Sequence, residues 1–328
     1  MKRKRLACFL VTETAKKVSR TGVTGKSART PGKHAALDKV IGRQLGIIRR
    51  APASVRIPPQ RVKIFDLCAG DGAVESFGET FHEDTSPGIL AYHAQYLSAA
   101  PEALPVDLHL YETSDNAYYQ LRGRMKDALR TMHELPDKRG RDRGAVPYEI
   151  TGLNTWQAGN VTVTLHHESG AEADLSDVDY YTAVLVSHDP NSMNTWPLSP
   201  EFLARLRDST SLAALVNTMG CNVSGAKRLT PAERAGWYQR VQLLNQAVYG
   251  QHDTLIARIE NDSQQWAYAF TVPYAFARAT EDETRKAFRA HGGFELDCAW
   301  LRRDPFQAQR VQDLLFKTKA ELEADARD

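Results

Sequence analysis

The chain has 328 residues, 42% hydrophobic and 25% charged, with a formal net charge of +2. That is material for one large core or two modest ones. No apolar run approaches the ~20 residues of a membrane-spanning helix, and Cys8, Cys68, Cys221 and Cys298 show no paired spacing, so neither a spanning helix nor a zinc site or disulfide framework is expected.

The start, MKRKRLACFLV, has a basic segment followed by apolar residues. The apolar part is too short for a secretory signal and no small-residue cleavage site follows it, so a cytoplasmic protein is expected. Charge is unevenly placed. Residues 1–62 hold sixteen Lys/Arg against two Asp/Glu, a local +14, and the remainder therefore carries −12. A basic arm on an acidic body suggests an anionic partner, with nucleic acid the default. The competing reading is a solvated tail that binds nothing in particular.

Residues 1–33 have little periodicity and read as a flexible basic arm. Ala35, Leu37, Val40, Ile41, Leu45 and Ile48 then recur at helical spacing and predict a helix over 34–49. Pro52, Pro58 and Pro59 separate it from a strand at Val62–Leu67. A helix is expected over Pro87–Ser98, a strand over Val106–Tyr111 and a helix over Asp115–Met132. Residues 134–147 read as a charged loop. Val161–His166 and Tyr181–Ser187 read as strands, Ser199–Arg207 as a helix capped by Ser199, and Leu212–Val216 as a strand. A helix over Pro231–Val248 precedes Thr254–Ile259 and Trp266–Val272, which flank ENDSQQ as a hairpin. A helix near 281–290, an apolar stretch at 294–301 and a polar helical tail from 306 complete the chain. The expected organisation is a basic arm (1–33), a main domain (34–302, its helix and linker at 34–60) and a helical tail (303–328). Strands alternating with helices predict an α/β fold with a mostly parallel twisted sheet covered on both faces and a late antiparallel hairpin.

Ligands of such sheets bind outside the carboxyl ends of the strands, where strand order reverses. At the end of the first strand stands Asp66-Leu67-Cys68-Ala69-Gly70-Asp71-Gly72. Small residues there let backbone approach a ligand. It is neither G-x-G-x-x-G nor a phosphate loop. An acid before the turn repels pyrophosphate and suits a ligand bearing positive charge. The second strand ends in Leu110-Tyr111-Glu112-Thr113, where a carboxylate can accept hydrogen bonds from both hydroxyls of a ribose. The pair fits S-adenosylmethionine better than NAD.

"DLCAGDG", "LYET" and "SHDPN", in this order, resemble motifs I, II and IV of the class I S-adenosylmethionine-dependent methyltransferases. With "GKHAALDKVIG", "TSPGIL", "VSHDPNSMNTW" and "LAALVNTMG", the chain more narrowly resembles the three-Cys-motif partner proteins over roughly residues 32–275. The resemblance implies a Rossmann-like fold, S-adenosylmethionine as cofactor, and binding by Asp66, Cys68, Ala69, Gly70, Gly72, Glu112, Thr113 and Glu168. It also implies that Asp189, Pro190 and Asn191 orient an acceptor amine, with His188 a candidate base. His188 can equally cap nearby backbone. Three departures stand out. A 46-residue interval separates Asp66 from Glu112, with an insert at 75–86 that could form a lid. Cys68 and Asp71 replace residues that are often apolar or small. The strand-end Asp-Pro-Asn also lacks the second proline and aromatic usual in amino-methyltransferases.

Trp196 can stack a base or fill the core. His166 and His167 are adjacent in a strand and should face opposite ways, so no metal is expected there. Asn222 and Lys227-Arg228 are further candidates for substrate contact. The readings left open are a nucleic-acid N-methyltransferase, a catalytically inactive nucleotide or nucleic-acid binding protein of a defence or mobile-element system, and a small-molecule methyltransferase.

Overall fold

A computed structural model describes residues 30–50, 59–73, 85–98, 104–132, 148–190, 196–209, 213–222, 229–246, 252–261, 264–290, 295–301 and 305–327. Residues 1–29 of the expected arm, residues 75–84 of the expected insert at 75–86, the loop at 134–147, Asn191 and Lys227-Arg228 lie outside these residues, whereas residues 30–33 of the expected arm form the first turn of a helix. In chain order the elements are α1 (Thr30–Arg50), β1 (Arg61–Asp66), α2 (Ser86–Ser98), β2 (Val106–Tyr111), α3 (Asp115–Met132), β3 (Glu149–Gly152), β4 (Thr155–Ala158), β5 (Val161–His166), β6 (Thr182–His188) and α4 (Pro200–Asp208). They continue as β7 (Ala213–Asn222), α5 (Pro231–Gln246), β8 (His252–Asn261), β9 (Gln264–Pro273), α6 (Tyr274–Ala290), β10 (Glu295–Trp300), α7 (Pro305–Phe316) and α8 (Lys319–Asp325). No helix among the described residues is long and apolar enough to cross a membrane.

The strands form one ten-stranded sheet in the order β10-β8-β9-β7-β6-β1-β2-β5-β4-β3. β1 pairs in parallel with β2 on one side and β6 on the other. The chain leaves β1 toward β2 and β5, then returns to the other side for β6 and β7. Strand order therefore reverses beside β1, and this is where open α/β sheets bind ligands. The expected hairpin is present: β8 and β9 are antiparallel, and β9 runs antiparallel to β7. The fold is thus Rossmann-like α/β, with a mostly parallel central sheet.

Alternating side chains of the buried strands feed two cores, as a period of two requires. Val62 and Ile64 of β1 join Leu37, Ile41, Leu90, Leu121 and Phe288 on the face covered by α1, α2, α3 and α6. Phe65 joins Phe202, Leu206, Trp237, Leu244 and Leu314 on the face covered by α4, α5 and α7. Two polar links fix α1. Gln44 and Asn217 exchange reciprocal side-chain hydrogen bonds of 3.1 and 2.9 Å, fully buried. His93 of α2 meets the Asp38 carboxylate at 3.0 Å.

Several elements differ from expectation. The antiparallel hairpin β3–β4 was not foreseen: all four residues of β3 are exposed, so no apolar alternation marks them. α6 begins at Tyr274, seven residues before 281, and buries Thr280, Thr284, Ala287 and Phe288 along one helical face. β7 extends to Asn222 through a register shift between Thr218 and Cys221.

Candidate functional site at the strand ends

The residues after β1 turn sharply. Gly70 and Gly72 have φ of 66° and 71°, a region that side-chain-bearing residues rarely adopt. The turn is pinned from several directions. Leu67 N–H donates to the Ser187 carbonyl and Ala69 N–H to the Tyr111 carbonyl, each at 2.9 Å. Arg124 of α3 pairs with the Asp71 carboxylate at 3.1 Å and also donates to the Asp71 carbonyl. Asp71 therefore shapes the turn through Arg124, a partner the sequence reading had not identified.

Asp66 is completely buried. It accepts hydrogen bonds from the Ser86 hydroxyl, at the first residue of α2, and weakly from Cys68 N–H at 3.4 Å. Burial pushes its carboxyl up to about 7; these two hydrogen bonds oppose the shift, and Asp189 and Glu112 add to it. The Cys68 thiol is likewise pushed up, first by burial and then by the charges of Asp66, Asp189 and Glu112. Three carboxylates thus converge on one point at the sheet's carboxyl edge.

Beside that point opens a cavity of about 420 Å³, within the size range of small-molecule sites. The turn after β1 contributes Leu67 and Cys68, and the end of β2 with the residues after it contributes Tyr111, Glu112 and Thr113. β6 adds His188 and Pro190, and the start of α4 adds Leu198, Ser199 and Phe202. Arg240 of α5 and the short 3₁₀ turn Gly170–Glu172, with Ser169 before it, complete the wall. Gly170 is required there by close approach: a Cβ would lie 2.6 Å from Leu67 Cβ and 2.8 Å from its Cα and carbonyl oxygen.

Glu112 is held in place by the backbone. Its Oε2 accepts from Gly70 N–H at 2.9 Å and its Oε1 from Ser114 N–H at 2.7 Å. Each carboxylate oxygen keeps a further lone pair for a ligand. His188 is pushed down to about 4 by burial, against the opposing charge of Asp189, and is therefore neutral near pH 7. Its Nδ1 is buried without a partner, a deficit that a ligand could relieve.

Of the residues proposed from the sequence, Cys68, Glu112, Thr113, His188 and Pro190 line the cavity together. Asp66, Ala69, Gly70 and Gly72 build the turn beside it. Asp189 faces Lys33 of α1, and the two form an ion pair. Glu168 is half exposed and lies 3.5 Å from His166 Nδ1. His166 stacks on Tyr111 and His167 on Tyr118, with centroids 4.4 and 4.2 Å apart. Trp196 is buried against Trp237, so of its two readings the structure shows the core one. The sequence reading missed Ser169–Ala171, Leu198, Phe202, Arg240 and Lys33. Only the capping serine and proline ahead of α4 signalled any of them, because a helix N-terminus at a strand's carboxyl end faces the site.

No protein-family model matches the chain, and no curated protein matches it. Similar solved structures include Trm1 from Pyrococcus horikoshii in complex with S-adenosyl-L-methionine, 11% identical with a TM-score of 0.36, over 81% of this chain and 64% of that one. Another is an rRNA methylase from Streptococcus thermophilus, 9% identical with a TM-score of 0.33, over 70% of this chain and 96% of that one. The chain thus spans about 64% of the length of the Pyrococcus structure.

Proposed function

We propose that the chain is an S-adenosylmethionine-dependent methyltransferase that acts on a nitrogen of nucleic acid. One observation carries the reading. Glu112, oriented by the Gly70 turn, lines an apolar-walled cavity at the strand-order reversal, with the carboxyl groups of Asp66 and Asp189 close by. The residues fit an adenosyl sulfonium. Leu67, Tyr111, Leu198 and Phe202 admit a flat ring. His188 Nδ1 is an unsatisfied polar atom in the same wall, and Glu112 can accept from a vicinal diol. The narrower kinship to the three-Cys-motif partner proteins belongs to this proposal, as do the cofactor and the roles of individual residues.

Bound S-adenosylmethionine would supply an electrophilic methyl group. The protein's part is alignment, since transfer from a sulfonium needs little acid–base help. Asp189 accepts a hydrogen bond from the acceptor's amino group and so directs its lone pair. Pro190 stiffens the backbone at that point. Neutral His188 can bind a ring without adding a positive charge that would oppose the sulfonium.

Calorimetry with S-adenosylmethionine and S-adenosylhomocysteine tests the reading. Micromolar or tighter uptake is expected, with at least a tenfold loss in Glu112→Ala, or about 1.4 kcal/mol. Glu112→Gln, which retains an acceptor for Gly70, should lose less. Absence of heat with both ligands defeats the proposal.

The Lys33–Asp189 pair favours a second reading, a binding protein without transfer, because the acceptor carboxylate is already engaged. Asp189→Ala separates the two. An enzyme should lose methyl transfer by about 10²-fold or more while its cofactor affinity changes little. If biological activity survives intact, transfer at this site is not the function.

A further inference from the structure

Lys33 lies in the first turns of α1, and its ε-ammonium pairs with Asp189, 156 residues further along the chain. Both side chains are mostly buried, 14% and 21% exposed. The helix that delivers Lys33 is clamped by the Gln44–Asn217 pair, by His93 on Asp38, and by an apolar stripe that includes Leu37, Val40 and Ile41. Side-chain rotation, rather than movement of α1, therefore decides whether Lys33 meets Asp189. In chemical terms the contact is a primary amine on the carboxylate assigned above to orient an acceptor amine.

We propose that Lys33 is the resident occupant of the acceptor seat and a specificity-determining residue: an incoming amine gains Asp189 when Lys33 is drawn to an anion carried by the same molecule. This rests on the methyltransferase reading and names its substrate class, an amino group accompanied by phosphate, as in a nucleotide unit of nucleic acid. An acceptor without an anion would leave a mostly buried ammonium unpaired, which is costly. A phosphate restores its partner. Along the chain, Lys33 falls within residues 1–62, whose local balance is +14.

The test uses the full chain as wild type, Lys33→Met and Lys33→Arg, with fluorescence anisotropy of labelled single-stranded RNA and DNA oligonucleotides over a salt series. Loss of one phosphate contact should lower the slope of log affinity against log salt by about 0.7 in Lys33→Met. Lys33→Arg should keep the wild-type slope. A role confined to anchoring α1 would shift the melting temperature and leave the slope unchanged. Lys33→Gln gives the same reading if the Met variant does not fold. An unchanged slope, or a wild type that binds no oligonucleotide, overturns the proposal. Calorimetry on the same samples keeps the two ideas apart. Cofactor uptake with an unchanged slope sinks only the Lys33 assignment, and a changed slope without uptake sinks the methyltransferase reading and the acceptor seat with it, leaving Lys33 as a phosphate contact alone.

Discussion

At the scale of single residues, Asp66 carries the sharpest consequence. Burial raises its pKa from 3.8 to about 7. The folded chain therefore holds this proton over a range in which the unfolded chain has released it. The stability linked to Asp66 is full below about pH 4 and is lost as pH rises through about 7. Three pKa units set an upper figure of about 4 kcal/mol. Asp66→Asn keeps an acceptor for Ser86 and Cys68 N–H and removes the ionisation. Urea denaturation should show the variant gaining on wild type from about pH 4 to pH 7 and levelling off above that, with little difference at or below pH 4. The same proton couples to the ligand. A cationic ligand favours ionised Asp66, so wild-type affinity for S-adenosylmethionine should rise from pH 6 to pH 8, and the variant should lose that rise. A pH-independent stability gap would show that Asp66 is already ionised in the folded chain.

At the scale of elements, two glycines in similar-looking company should behave oppositely. Gly170 opens the 3₁₀ turn against the backbone of Leu67, and a Cβ there meets fixed atoms at 2.6 to 2.8 Å. Gly170→Ala should cost about 1–3 kcal/mol, as overpacking does, and should weaken ligand uptake by shifting the cavity wall. Gly236 lies on an exposed face of α5, with nothing within 4 Å of a built Cβ. Gly236→Ala should stabilise by about 0.4–1 kcal/mol. Thermal melts of the two variants check both signs. None of this contrast was legible in the sequence, where Gly170 stands between Ser169 and Ala171 and Gly236 between Ala235 and Trp237. The elements themselves were legible where burial is two-sided or periodic: β2, α3 and β5 fall on their expected residues. β3 failed for the converse reason, since an exposed edge strand has no hydrophobic pattern to read. The site was half legible. Glu112, Cys68 and His188 follow from strand ends, because local order dictates them. Arg240, Phe202 and Lys33 reach the same place through tertiary packing, which local spacing does not encode.

At the scale of the whole molecule, the distribution of charge and the placement of α1 make a joint demand. The core on one face of the sheet includes Leu37, Val40, Ile41, Leu45 and Ile48 of α1, each no more than 3% exposed. At about 1.5–3 kcal/mol per buried side chain, α1 contributes roughly 8–15 kcal/mol, comparable to the whole stability of a domain. Residues 1–29 differ in kind, holding nine Lys/Arg against one Glu, so their removal takes the net charge from +2 to −6. A chain that begins at residue 30 should therefore keep a cooperative melt near that of wild type, whereas one that begins at residue 51 should not fold. If the basic arm is the electrostatic footprint for nucleic acid, the shorter truncation should also flatten the salt dependence of oligonucleotide binding by several units of slope, since each phosphate contact contributes about 0.7–0.9. S-adenosylmethionine uptake should be untouched, because the cavity-lining residues among those described begin at Leu67. A truncated chain with the wild-type slope would relocate the polyanion contact to the body of the protein.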